Sequence, residues 1–127
     1  MTFINYPVGD FLIQLKNAAM ARRREVVVDS TKIIKAVAAA MKEEGYLERV
    51  TMKEGKLTAI LSYRKKEPVL INLKLVSRPG LRIYQDVDDL ERFRGPSIFI
   101  LTTPKGVISS RKAIKKRVGG EVIVQVW

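Results

Sequence analysis

The chain has no cysteine and no histidine among its 127 residues. Disulfides, Cys or His metal sites, thiol nucleophiles and every His-based catalytic triad are therefore excluded, and no cofactor is expected. No uninterrupted apolar run approaches the ~18 residues that span a bilayer, and Met1 to Asp10 lacks the basic-then-apolar pattern of a secretion signal. The expectation is a cytoplasmic protein with no membrane partner. Acidic residues are scarce: 13 Asp and Glu stand against 24 Lys and Arg, a net charge of +11. From Arg92 to Gly120 there are none, while Arg92, Arg94, Lys105, Arg111, Lys112, Lys115, Lys116 and Arg117 supply eight cations. Such a field attracts polyanions, and on a folded basic domain it points to nucleic acid. What is present is enough to fold: 46% hydrophobic residues at a mean hydropathy of -0.03 can bury one core or two small ones.

The most informative stretch is Thr102-Thr103-Pro104-Lys105-Gly106-Val107-Ile108-Ser109-Ser110-Arg111-Lys112. The apolar run Ile98 to Leu101 before it reads as a buried strand, and Ser109 followed by Arg111 to Val118 reads as a capped helix. A strand-to-helix loop of hydroxyls, a glycine and cations suits phosphate, because first-turn amides of a helix lack internal partners and favour negative charge. Arg111 and Lys112 in that first turn oppose the macrodipole unless an anion lies nearby. A plain N-cap with a solvated basic face is the competing reading of the same residues.

Periodicity predicts an α+β chain of two small lobes, 1–66 with the order αβαββ and 67–127 mostly strand with short helices. In the first lobe, Val8, Phe11, Leu12, Leu15, Ala18 and Ala19 recur at helical spacing behind a start at Asn5 and Pro7. Val26 to Val28 reads as a strand, Asp29-Ser30 as the cap of a second helix, and Gly45 as its end. Tyr46–Met52 and Lys56–Tyr63 read as a hairpin turning at Gly55. Arg64 to Pro68 breaks the pattern as a rigid linker. Beyond it, strands are expected over Val69–Ser77, Leu81–Tyr84, Ile98–Thr103 and Val122–Trp127, with a tight turn at Pro79-Gly80 and a short helix over Val87–Phe93. Gly119-Gly120 is expected to end the basic helix and start the last strand.

Two enzymatic readings compete and fail. Ser109-Ser110-Arg111-Lys112 satisfies a Ser-x-x-Lys pattern, but the supporting Ser-Asp-Asn and Lys-Thr-Gly elements are absent, and capping accounts for Ser109. Asp86, Asp88, Asp89 and Glu91 resemble a magnesium cluster, yet they open a short helix, where acidic residues are favourable without metal. A generic basic nucleic-acid-binding module is the remaining alternative, although nothing here has the form of a helix-turn-helix or basic zipper.

Ser77-Arg78-Pro79-Gly80-Leu81-Arg82-Ile83-Tyr84, Thr102-Thr103-Pro104-Lys105-Gly106-Val107-Ile108-Ser109 and Gly119-Gly120-Glu121 closely resemble the bacterial small-subunit ribosomal protein eight family. Pro7, Asp10, Leu12, Asn17 and Ala18, with Lys42 to Tyr46, extend the resemblance over essentially the whole chain. It implies a non-enzymatic, two-lobed α+β protein that binds the central domain of small-subunit ribosomal RNA (rRNA) directly and assembles early. It also implies neighbouring small-subunit proteins as partners, a ribosomal-protein messenger in some relatives, and a monomer when free. The RNA-binding residues it implies are Thr102, Thr103, Lys105, Gly106 and Ser109, with Tyr84 and Glu121 around the same surface and Ser30, Lys32 and Lys56 in the first lobe. Arg111 and Lys112 join them as phosphate-attracting cations.

Two departures bear on the site. Pro104 stands where the family usually has a third hydroxyl residue, which removes a donor and a backbone N–H but fixes φ, so the loop is preorganised. Arg94-Gly95-Pro96-Ser97 replaces most of a glycine-rich approach to the strand, and Arg94 offers a phosphate contact. Thr102 and Thr103 suit ribose hydroxyls and base edges, Gly106 permits close backbone approach, and Tyr84 either stacks on a base or covers the core. Glu121 reads as the partner of a nearby cation, and Trp127 as packing against its own core.

Overall fold

The computed structural model describes residues 6–127 and is α+β, as the periodicity predicts. Helix α1 (Pro7–Met20) has Pro7 at its first position, where a missing N–H removes nothing, and buries Val8, Phe11, Leu12, Leu15, Ala18 and Ala19. The expected cap at Asn5 lies outside the described residues. Strand β1 (Glu25–Asp29) leads to helix α2 (Lys32–Glu43), whose cap is Thr31 rather than Asp29-Ser30. The Ile34 N–H donates to Thr31 Oγ1 at 3.2 Å. Asp29 is still paired with Lys56 in the sheet, and the Ser30 N–H donates to Gly55 O at 2.9 Å, so extended structure runs past the expected cap.

Gly45, at φ +91, closes α2, and the Tyr46 N–H reaches back to Met41 O at 3.0 Å. Strands β2 (Leu47–Lys53) and β3 (Lys56–Leu61) turn on Glu54 and Gly55, both at positive φ, the geometry of a two-residue hairpin. With β1 they make an antiparallel sheet of order β1-β3-β2. The stretch expected as a linker is itself a hairpin, β4 (Tyr63–Arg64) and β5 (Glu67–Pro68), turning on Lys65 and Lys66.

After it come β6 (Leu73–Leu75), β7 (Tyr84–Gln85), α3 (Val87–Arg92), β8 (Ile98–Thr103), β9 (Gly106–Ser109), α4 (Ser110–Lys116) and β10 (Gly120–Val126). The sheet order is β6-β10-β8-β9, with β7 also paired to β10. The strand expected over Val69–Ser77 is reduced to β6, flanked by backbone bonds from Ile71 and Asn72 to Trp127 O and from Val76 to Ile123 O. The Leu73 N–H donates to Asn72 Oδ1 at 2.8 Å and the Ile83 N–H to the buried Ser77 Oγ at 2.9 Å. The strand expected over Leu81–Tyr84 is likewise reduced to β7, since Leu81 closes the Pro79-Gly80 turn by exchanging both backbone bonds with Arg78.

The loop expected to join strand to helix is instead a third hairpin, β8 to β9, with α4 following β9. Ile98 and Ile100 face the larger buried cluster with α1, α2 and the first sheet, whereas Phe99 and Leu101 face a smaller one with Leu90, Ile108, Ala113 and Val122. Burial on both faces explains why the 98–101 run is continuously apolar rather than alternating. The α4 terminus also differs from expectation: Arg117, not glycine, adopts the left-handed conformation, at φ 58. Gly119 and Gly120 serve close approach instead. A Cβ on Gly119 would lie 2.3 Å from Gln85 O, and one on Gly120 2.0 Å from Thr102 O.

Candidate nucleic-acid interface

The tip of the β8–β9 hairpin is Thr103-Pro104-Lys105-Gly106. Thr103 pairs with Gly106, and Gly106 sits at φ +106, a conformation that a side chain would strain. Pro104 occupies the position where a turn favours fixed φ. The Thr103 hydroxyl is engaged within the turn: it receives the Lys105 N–H at 3.0 Å and donates to Gly106 O at 2.8 Å. Thr103 is buried, so its side chain shapes the tip, while Thr102, Pro104, Lys105 and Gly106 are exposed.

Antiparallel register sets a row across three strands. Thr102 pairs with Glu121, and Glu121 pairs with Tyr84, so the three side chains share one face of the sheet. Tyr84 is 65% exposed and does not cover the core. Glu121 takes a cation, as expected, and that cation is Arg82, at 3.1 Å. Beside the row lies a mainly apolar cleft of about 300 Å³ lined by Tyr6, Val8, Thr31, Ile33, Arg82 and Thr102 among others. Tyr6 donates its hydroxyl to Ser77 O at 3.1 Å. Burial pushes its phenol up, opposed by Arg82 and helped by Glu121.

The other predicted residues fall into two further groups. Ser30, Lys32 and Lys56 gather where β1 meets α2 and the β2–β3 turn. Ser30 Oγ contacts Met52 Sδ at 3.3 Å, Lys56 pairs with Asp29, and Lys32 is exposed. Thr31, the cap of α2, links this group to the cleft beside Thr102.

Ser109, Arg111 and Lys112 lie at the opposite end of β9, about 10 Å from the tip at 3.3 Å per residue. The anion that their charge called for belongs to the chain itself. Arg111 approaches Glu44 at 3.7 Å and Lys112 pairs with Glu43 at 2.8 Å. Ser109 Oγ caps α4 by accepting the Lys112 N–H at 3.3 Å and donates to Glu44 Oε2 at 2.7 Å. Carboxylates from the end of α2 thus complement the positive end of α4. The same neighbourhood raises the Tyr46 phenol, chiefly through burial, with Arg111 lowering and Glu44 raising it. Glu43 and Glu44 were unreadable as partners because 65 or more residues separate them from Ser109 and Lys112.

The acidic cluster at α3 is a capping box. The Asp89 N–H donates to Asp86 Oδ1 at 2.8 Å and the Asp86 N–H to Asp89 Oδ2 at 3.2 Å. Asp89 also takes Arg92 at 2.6 Å and Glu91 takes Arg117 at 2.7 Å. The Asp86 backbone N–H, foremost, holds the Asp89 carboxyl below its usual range.

Comparison with known proteins finds relatives similar over nearly the full length. The family model described as ribosomal protein S8 matches residues 6–127. A small ribosomal subunit protein uS8 from Roseiflexus castenholzii is 42% identical over 98% of both chains. Its counterpart in Nitratidesulfovibrio vulgaris is 38% identical over 95% of this chain and 97% of its own. That of Dechloromonas aromatica is 41% identical over 92% and 93%. The chain belongs to the ribosomal protein S8 family.

Proposed function

We propose that this chain binds the central domain of small-subunit rRNA directly and helps that domain assemble. Its family comprises structural, non-enzymatic components of the small ribosomal subunit, which places it in the ribosome and in translation. The observation that carries the finer reading is the row Thr102, Glu121 and Tyr84, flanked by the exposed Lys105 and Gly106. A-form RNA withholds its base edges in a deep major groove and offers ribose hydroxyls, the minor groove and unstacked bases. Thr102 can donate to and accept from such groups. Gly106 lets the backbone approach, Tyr84 offers an aromatic face to a base, and Lys105 draws phosphate.

Ser30, Lys32 and Lys56 extend the contact along the first lobe, 1–66, while the row belongs to the second, 67–127. Thr103, Pro104 and Ser109 act by shaping the tip and the start of α4, and Arg111 and Lys112 reach phosphate from within their ion pairs. Other small-subunit proteins complete the surroundings, a ribosomal-protein messenger that mimics the rRNA site is a second ligand, and the free chain is a monomer. Protection mapping of small-subunit rRNA with the purified chain tests this reading. Protection confined to a folded element of the central domain, weakened by Thr102→Val and Tyr84→Ala, is expected. Protection spread evenly over the RNA would leave only a generic basic module.

A further inference from the structure

Resting on the RNA-binding reading, we infer that Tyr6 is a positioning residue for the row: from the start of α1 it ties down the segment 77–84, which carries Arg82 and Tyr84. That segment is thinly held. Its strand, β7, is two residues long and pairs with β10 through Tyr84 and Gln85. Ahead of it, Arg78 and Leu81 bond to each other across the Pro79-Gly80 turn. What fixes Arg82 and Tyr84 is the residue between them. Ile83 O accepts the Val122 N–H at 2.8 Å, and the Ile83 N–H donates to Oγ of the fully buried Ser77 at 2.9 Å. Ser77 is gripped in turn from the first lobe, where the Tyr6 hydroxyl donates to Ser77 O at 3.1 Å across 71 residues of sequence.

Two local preferences are set aside at the start of α1, and the tie accounts for both. Tyr6 is the N-cap of α1 yet makes no side-chain cap bond, although Ser, Thr, Asp and Asn are the residues that favour this position. Gly9 stands inside the helix, buried and not at positive φ, where alanine is the more favourable residue. Its missing Cβ is what seats the Tyr6 ring. A Cβ there would lie 2.8 Å from Tyr6 Cε2 and 3.3 Å from Cγ, closer than carbon atoms pack. The ring is thus laid against the first turn of α1, and its hydroxyl is delivered to the second lobe.

Packing alone does not call for that hydroxyl. The Tyr6 ring leans on the main core, and phenylalanine would fill the same space. Departures from local propensity are expected where a function is served. The tie also ends where the row begins, since Tyr6, Arg82, Thr102 and Glu121 line one cleft. Without it, Arg82 and Tyr84 would hold a freedom that binding must then remove, which weakens association.

The test uses Tyr6→Phe, which removes the hydroxyl alone, and Gly9→Ala, which unseats the ring while favouring the helix. In the free chain, amide hydrogen exchange at Ile83 should quicken by about two- to tenfold in both variants, the net contribution of one hydrogen bond. In Gly9→Ala the helix gain offsets the lost bond, so amides of β3 should exchange at the wild-type rate. Affinity for a central-domain rRNA fragment should weaken by about threefold in both, while affinity for an unrelated RNA duplex, which depends on charge, stays unchanged. Unchanged exchange at Ile83 overturns the inference, and weaker rRNA binding with unchanged exchange assigns Tyr6 to direct contact instead. Faster exchange at Ile83 with rRNA affinity intact overturns it as well, leaving a tie with no bearing on the row. Faster exchange throughout both variants, β3 included, reduces Tyr6 to a general stabiliser. A wild-type chain with no preference for the rRNA fragment refutes the RNA-binding reading itself, while exchange, measured without RNA, still judges the tie.

Discussion

Gly120→Ala is the substitution that most directly couples the fold to the candidate site. An added Cβ would lie 2.0 Å from Thr102 O, 2.9 Å from its carbonyl carbon and 3.1 Å from Thr103 Cα. Carbon and carbonyl oxygen touch at about 3.3 Å or more, so β8 and β10 would have to part by roughly 1 Å at this point. All three atoms are backbone, and no side-chain rotation relieves the clash. Forced overpacking of this kind destabilises by about 1–3 kcal/mol. The replacement also restricts the unfolded chain, which returns about 0.4–1 kcal/mol because Gly120 is not at positive φ. A net loss of about 1–2 kcal/mol is expected. With a urea m-value of about 1–3 kcal/mol/M, the unfolding midpoint should fall by roughly 1 M at unchanged m. Amide shifts of Thr102 and Thr103 should move in the folded variant, and affinity for the cognate RNA should drop with them. A midpoint equal to or above wild type would refute the claim that this approach is close and rigid.

Three further outcomes follow from the same contacts. Glu44→Ala should destabilise by about 2 kcal/mol in chemical denaturation, because its largely buried carboxylate, 14% exposed, accepts the Ser109 hydroxyl. An unaltered midpoint would show that α2 does not supply the anion for α4. Thr103→Val should lower stability by about 1–3 kcal/mol through its two turn bonds, whereas Thr102→Val should leave stability nearly unchanged and reduce discrimination between the cognate RNA and a base-substituted form. The reverse pattern in paired denaturation and binding assays would exchange their roles. Asp89 has its folded pKa lowered, so its contribution is present above the unfolded value and disappears as pH falls through the folded one. Asp89→Asn should therefore lose stability at neutral pH and converge on wild type in acid, a trend that urea titrations across pH 2–5 can contradict.

Helix periodicity, β-branched runs and turn glycines were legible because each acts within a few residues. Thus α1, α2, the β2–β3 hairpin, the Pro79-Gly80 turn, α3 and β8 stand where the sequence puts them. What the sequence hid depends on distant partners. The cap of α2 moved to Thr31 because Gly55 holds Ser30 in extended structure, and Leu73, at the start of β6, gives its amide to the side chain of Asn72. Gly119 and Gly120 read as a helix stop but answer to the backbones of Gln85 and Thr102 across the sheet. At the site, hydroxyls and cations were visible as residue types, while their engagement was not. Thr103 and Ser109 are tied into the turn and the cap, and Arg111 and Lys112 meet Glu43 and Glu44.

The central claim is that the row of Thr102, Glu121 and Tyr84, with the β8–β9 tip beside it, fits folded ribosomal RNA rather than polyanions at large. Competition binding at 0.15 M salt, a concentration at which simple phosphate attraction is already weakened, measures this directly. A central-domain rRNA fragment should displace labelled small-subunit rRNA from the purified chain at concentrations about a thousandfold below those needed by an unrelated RNA duplex of equal length. Equal displacement by the two would contradict the account.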